Sequence, residues 1–318
     1  MSASPEPLAD AAVPAWLRER GVPGVVDLHV HFMPDRVQQK VWGFFDGVAE
    51  RGAPAWPIRY RGTDEERVAQ LRAIGVNRFT TLSYAHRPGM AQWLNDYAAE
   101  FAAAHPDAIP SATFYPEPGA GSIAERALER GARVFKIHVQ VGDFSPLDPL
   151  LTEAWERAAA AGAPVVIHCG NGPHEGRYTG LEPVRALVER HPSLVLVIAH
   201  AGLPDYLGFA ELAARHPNVY LDTTMVGTSY IERIAPLPPG YVEMLADLGP
   251  KIVLGTDFPS IPYPYAHQLE VLDGWGLGDR WLTDVLWNTP RRLLGMDGSG
   301  SGSVSEVASA DPDSTLAG

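Results

Sequence analysis

VVDLHVHFMP, residues 25–34, is an apolar run that ends in Asp27, His29 and His31 at alternate positions. Read as a strand, it places those three side chains on one face, because successive residues of a strand point to opposite sides. The same form recurs downstream. PVVIH ends in His168, LVLVIAH in His200 and KIVLGTD in Asp257, while Lys136 and His138 lie two apart in RVFKIHV. Taken singly, His168 or His200 reads more often as an interior histidine satisfied by a hydrogen bond.

Eight strand candidates follow: 25–30, 76–83, 108–114, 133–139, 164–169, 194–200, 218–223 and 251–257. Amphipathic helical segments fall between most of them, at 63–75, 90–104, 121–131, 147–162, 181–190, 203–215 and 238–248. The first opens on Thr63 as N-cap, carries acids in its first turn and stops at Gly75. Eight strands alternating with helices predict an α/β fold of the (β/α)8 barrel type, a TIM barrel. A doubly wound open sheet is the competitor, weakened because no G-x-G-x-x-G follows any strand. In a barrel the polar strand ends share one rim, where such folds carry their chemistry.

Residues 32–63 separate the first strand from its helix and hold Phe32, Trp42, Phe44, Phe45, Trp56 and Tyr60. So long a connection reads as an insertion: a lid or pocket wall, or else an aromatic mini-core or oligomer contact. The predicted organisation is a flexible N-terminus at 1–13, a barrel at 14–296 and a disordered Gly/Ser/Asp-rich tail at 297–318.

Composition limits the function classes. The 318 residues carry a net charge of −13 with no basic run, which argues against nucleic-acid binding. No apolar stretch reads as a membrane span and the start does not read as a signal peptide, so a cytoplasmic protein is expected. The single cysteine, Cys169, is compatible with a reducing compartment and reads as a packed core thiol.

Imidazoles with a carboxylate make a good ligand set for Zn2+. At this point the chain resembles the amidohydrolase superfamily, and within it the amidohydrolase-2 family that includes aminocarboxymuconate-semialdehyde decarboxylase-like enzymes. DLHVHFMP (27–34), VVIHCGNGP (165–173), VIAHAG (197–202), NVYLDT (218–223), IVLGTDFP (252–259) and NTPRRLLG (288–295) carry the likeness, in this order over nearly the whole body. The resemblance implies one divalent metal, usually zinc, held by His29, His31, His168 and Asp257. It implies His200 as base or polarising group and Asp257 as the acceptor of the water proton. Asp27 is expected behind the ligands, as a hydrogen-bond acceptor to one of them or a core polar group.

Lys136 and His138 are candidates for a second metal or for substrate; Lys136 could instead pair with Asp257 or Asp27. Arg177 and Tyr178, in the loop GNGPHEGRYTG with His174 and Glu175, are candidates for substrate binding or merely solvated. Asp222, Thr223 and Thr224 could line the pocket or cap a helix. The implied activity is metal-dependent hydrolysis, with metal-bound hydroxide attacking an amide, lactone or related bond of a small molecule. The alternative, using the same ligands, is non-oxidative decarboxylation of a small unsaturated or aromatic acid. The partner expected is a small-molecule substrate, and a homodimer is open.

Overall fold

The computed structural model describes residues 7–171 and 175–296. Among them, all eight expected strands form: β1 Val25–Asp27, β2 Val76–Thr80, β3 in two pieces Ala108–Ile109 and Ser111–Ala112, β4 Val134–His138, β5 Val165–His168, β6 Leu196–Ile198, β7 Val219–Asp222 and β8 Ile252–Val253. Every pairing is parallel and joins neighbours in sequence. Pro110 divides β3, since proline has no N–H to give a ladder. Closure comes from the other edge. Leu28 N–H donates to Leu254 O (3.0 Å), Asp257 N–H to His29 O (2.8 Å) and His31 N–H to Phe258 O (2.8 Å), which joins β8 to β1.

The expected helices are present. Asp64–Ile74 carries a capping box, in which Thr63 and Glu66 each accept the other's backbone N–H, and it ends on Gly75 at φ 94°. Side-chain alternation sorts the strands into two packed layers. Val26, Leu28, Leu82, Val134, Val166, Val197 and Val253 fill the inside of the cylinder. Phe79, Phe135, Ile137, Ile167 and Ile198 pack outward with the helices, and Cys169 is buried with them. Lys136, His138, His168 and Asp222 continue the inward set at the carboxyl ends, so the cylinder is apolar below and ionisable above.

The insertion packs in two parts. Its helix Asp35–Asp46 buries Trp42, over whose ring the buried Arg67 guanidinium lies (5.5 Å). Phe32 stacks on Phe79 and Phe101 within the outer core. Further along, Trp56 donates its indole N–H to Ser260 O (2.7 Å), and its ring meets Phe45 and Tyr230. That part forms an aromatic wall fastened to the segment after β8.

Two expectations need correction. The flexible N-terminus does not extend to residue 13: Asp10–Ala12 is a 3-10 turn and a helix begins at Val13. The Asp10 carboxylate accepts from Tyr60 Oη and from Ala266 N–H (2.9 Å), and Tyr60 Oη in turn accepts from Tyr265 N–H (2.5 Å). Asp27 also leaves the face assigned to it. The regular part of β1 ends at Asp27, so strict alternation does not reach the histidines. The tail at 297–318, residues 1–6 and His174 lie outside the described residues.

Replacing Asp10 by Ala should lower stability by about 1–3 kcal/mol, the cost of orphaning buried donors. Urea unfolding of the variant checks this, and an unchanged midpoint would show that the segment is not docked.

Candidate metal centre

The site begins with His29, whose backbone N–H donates to Asp27 Oδ1 (3.0 Å). The rest of the Asp27 carboxylate accepts from Thr256 Oγ1 (2.6 Å) and Tyr265 Oη (3.0 Å). Asp27 therefore holds the chain beneath His29 and does not touch its ring. The imidazole donates Nδ1–H to Asp222 Oδ2 (2.8 Å), since a carboxylate can only accept, and this leaves Nε2 with its lone pair. His31 is fixed in the same tautomer by donating Nδ1–H to Leu82 O (3.0 Å).

Both Nε2 atoms face Asp257. Its Oδ1 lies 2.8 Å from His31 Nε2 and 3.4 Å from His29 Nε2. Lone pairs opposed at such distances repel unless positive charge lies among them, and a divalent cation meets that need. His29, His31 and Asp257 together form a possible metal site, their ligand atoms all within 4.8 Å of one another. Imidazole and carboxylate donors suit zinc and similar divalent ions. Lys136 supplies the positive charge now present, donating from Nζ to His29 Nε2 (3.0 Å). It does not pair directly with Asp27 or Asp257, and an ion on His29 Nε2 would have to displace it.

His168 does not join that trio. Its ring stacks on His138, the residue paired with it across β4 and β5, with centroids 3.8 Å apart. His138 Nδ1 accepts from Val141 N–H (3.3 Å), which puts its proton on Nε2. His200 lies between the groups, with ring centroids 5.2 Å from His29 and 4.8 Å from His168. Its Nδ1 is buried without a hydrogen-bond partner among the described residues. Arg177 is exposed, lies over the ring of Tyr178 (5.0 Å) and takes no part in these contacts; Glu175 is exposed as well.

Two site residues escaped the sequence reading. Asp222 was weighed there only as pocket lining or a cap, yet its Oδ1 accepts from the backbone N–H groups of His200 (2.7 Å) and Thr224 (3.1 Å) while Oδ2 holds His29. Its position at a strand's carboxyl end, the signal used for His168 and His200, could have marked it. Tyr84 packs against His31 (6.1 Å) and His138 (4.9 Å), and it follows its strand without itself being a ligand-type residue.

Burial is the largest influence on the site's charges. It pushes His29 down to about 3, helped by the Lys136 charge, and lowers His138, His168 and His200 as well. These four imidazoles are therefore neutral donors of lone pairs. Burial likewise lowers Lys136, to about 8. For Asp222, burial acts upward, but the charge and hydrogen bond of His29, with His200 and Lys136, outweigh it and hold the carboxyl at about 2. Asp257 is lowered too, burial being overcome by its contact with His31 and by His29 and His200.

Backbone strain gathers at the same rim. His200 (φ 54°) and Asp257 (φ 69°) are non-glycine residues in the left-handed region. Gly255 is required between them: a Cβ there would stand 2.1 Å from Thr224 Oγ1 and 2.7 Å from the His29 Cβ.

With this geometry in hand, the comparisons are informative. The amidohydrolase family model matches residues 26–296. The chain belongs to the amidohydrolase family. No protein of curated function matches it by sequence. Among solved structures, an uncharacterized TIM-barrel protein from Bordetella bronchiseptica aligns with a TM-score of 0.65 at 18% identity, over 85% of this chain and 98% of that one. The 5-carboxyvanillate decarboxylase of Sphingomonas paucimobilis gives 0.56 at 17% identity, over 86% and 99%. A putative 2-pyrone-4,6-dicarboxylic acid hydrolase from Pseudomonas putida gives 0.58 at 16% identity, over 86% and 98%. At these identities the likeness establishes the TIM-barrel fold of this amidohydrolase, and both a hydrolase and a decarboxylase share it. No helix among the described residues is long and apolar enough to cross a membrane.

Two measurements probe the centre. Gly255→Ala should weaken zinc binding about 10–100-fold by displacing His29, the usual cost of disturbing a ligand's support; calorimetric titration with zinc that matched the unaltered protein would contradict this. Burial raises the Asp27 carboxyl from 3.8 to about 6. The folded state thus holds a proton that the unfolded state releases, a stabilisation complete below pH 3.8 and lost as pH rises through about 6. Asp27→Asn removes that dependence, so its stability relative to the parent should improve by roughly 3 kcal/mol between pH 4 and pH 7. Urea unfolding at several pH values checks this, and a gap that does not vary with pH would contradict it.

Proposed function

We propose that this amidohydrolase hydrolyses an amide, lactone or related bond of a small molecule at a zinc-type centre held by His29, His31 and Asp257. His168, which stands outside that trio against His138, is the fourth ligand that the family resemblance implies. A bound divalent ion would supply Lewis acidity and make water a stronger acid. The observation that carries the reading is His200: an imidazole that burial keeps neutral beside the trio, its ring centroid 5.2 Å from that of His29.

The protein groups divide the proton work. Asp257, ionised and aimed into the site, accepts a proton from the attacking water and returns it to the departing nitrogen or oxygen as the acyl bond breaks. His200 holds the same water or the oxygen of the attacked carbonyl. Asp222 keeps His29 in its tautomer and fixes the His200 backbone, and so acts through both. The set is rich in bases, with neutral imidazoles and an ionised carboxylate. Taking a proton from water suits such groups better than delivering one to carbon, which decarboxylation requires.

A panel of aryl lactones and anilides, assayed by pH-stat with the zinc-loaded protein, tests the proposal. Acid release is expected, falling by about 10²–10⁴-fold in His200→Asn and Asp257→Asn, the usual weight of acid–base groups, with the fold retained by circular dichroism. Labelled CO2 from carboxylic acids without any hydrolysis would assign the decarboxylase chemistry instead. Full activity in both variants would remove the site.

A further inference from the structure

Six rings meet edge to edge or face to face around the mouth of the barrel and close on themselves. His29 meets His31 (5.1 Å), His31 meets Tyr84 (6.1 Å) and Tyr84 meets His138 (4.9 Å). His138 meets His168 (3.8 Å), His168 meets His200 (4.8 Å) and His200 returns to His29 (5.2 Å). Five members are imidazoles. Tyr84 is the exception, and it spans the gap between β1 and β4.

We propose that Tyr84 is a substrate-binding residue, whose ring face carries a planar conjugated group and whose hydroxyl donates to an oxygen of that group. This rests on the reading that the site takes a small molecule, and it adds the class: a flat acid or acyl compound with an oxygen acceptor next to its π system.

The loop is built to hold Tyr84 in place. Its neighbours Ser83 and Ala85 are buried, Ala85 N–H donates to Thr113 Oγ1 (3.3 Å) and Gly89 N–H donates to Glu117 Oε2 (2.6 Å). Ala85 and Met90 pack with Ala91, Leu94 and Ile123 in a separate apolar cluster. Between these anchors Tyr84 is only half-buried, and no hydrogen bond engages its hydroxyl among the described residues. Burial and then the charge of Asp257 push the phenol up, which keeps the proton on the oxygen.

A neutral hydroxyl here adds to the donors already at the rim, Lys136 Nζ on His29 and the Nε2–H of His138. Asp222 and Asp257 only accept, and His29 and His31 have already given their Nδ1–H to Asp222 and Leu82. An aromatic face and a fixed O–H together recognise a planar group with an oxygen acceptor, because flat rings stack in offset or edge-on geometry and a pre-set hydroxyl fixes orientation.

Benzoate serves as the probe, titrated calorimetrically into the zinc-loaded protein and its variants. Tyr84→Phe keeps the circuit of rings and should weaken benzoate about tenfold, the worth of one such hydrogen bond. Tyr84→Leu, which also removes the face, should weaken it further, while the zinc content of both variants stays at the parental value. A Tyr84→Phe protein that binds benzoate as tightly as the parent, or a parent that does not bind it, overturns the proposal. Weaker binding in the variant, with no lactone hydrolysis by the parent, would uphold Tyr84 and sink the hydrolase reading. Lactone hydrolysis with equal benzoate binding in the two proteins would do the reverse.

Discussion

The Asp222 carboxylate ties the site together. It accepts from the His29 ring, from the His200 backbone and from the Thr224 backbone, so one buried anion at the end of β7 joins β1, β6 and its own strand. The bond to His29 selects the tautomer that leaves Nε2 free. The bond to His200 supports a residue in a left-handed backbone, a conformation that costs an L-residue about 1–2 kcal/mol. An isolated carboxylate buried this deeply would be unfavourable, and three donors with Lys136 nearby offset that cost. Tautomer, backbone and charge are therefore set by a single group that need not touch substrate.

The barrel explains why residues remote in sequence meet here. β1 and β4 to β8 contribute inward positions to an apolar interior and then, at their carboxyl ends, ionisable side chains above the level where aliphatic packing stops. Lys136 follows Val134, His168 follows Val166 and Asp222 follows Tyr220, two residues apart in each case. This alternation separates a dry core from a polar rim. Burial then keeps the imidazoles neutral, the form in which they can bind a metal.

The strand-and-helix alternation was legible in the sequence because period-two apolar runs, the Thr63 cap and the Gly75 stop all agree with the fold. Polar residues ending apolar runs gave His29, His31, His200 and Asp257 their place, and the amidohydrolase resemblance is borne out by the family match. What stayed hidden depended on contacts that no local pattern encodes. Asp27 looks like a histidine neighbour until Thr256 and Tyr265 take up its carboxylate. The N-terminal residues look like a loose leader until Asp10 meets Tyr60 and Ala266. Tyr84 looks like a loop aromatic until β1 and β4 bring two imidazoles against it.

Cation binding at the mouth of the cylinder is the claim on which the account stands, and anomalous diffraction at the zinc edge tests it most directly. Crystals grown with zinc should show one peak at about 2.0–2.2 Å from His29 Nε2, His31 Nε2 and an Asp257 oxygen, with Lys136 withdrawn from His29. Zinc bound elsewhere, or crystals in which Lys136 keeps its contact and no peak appears among these three side chains, would contradict it.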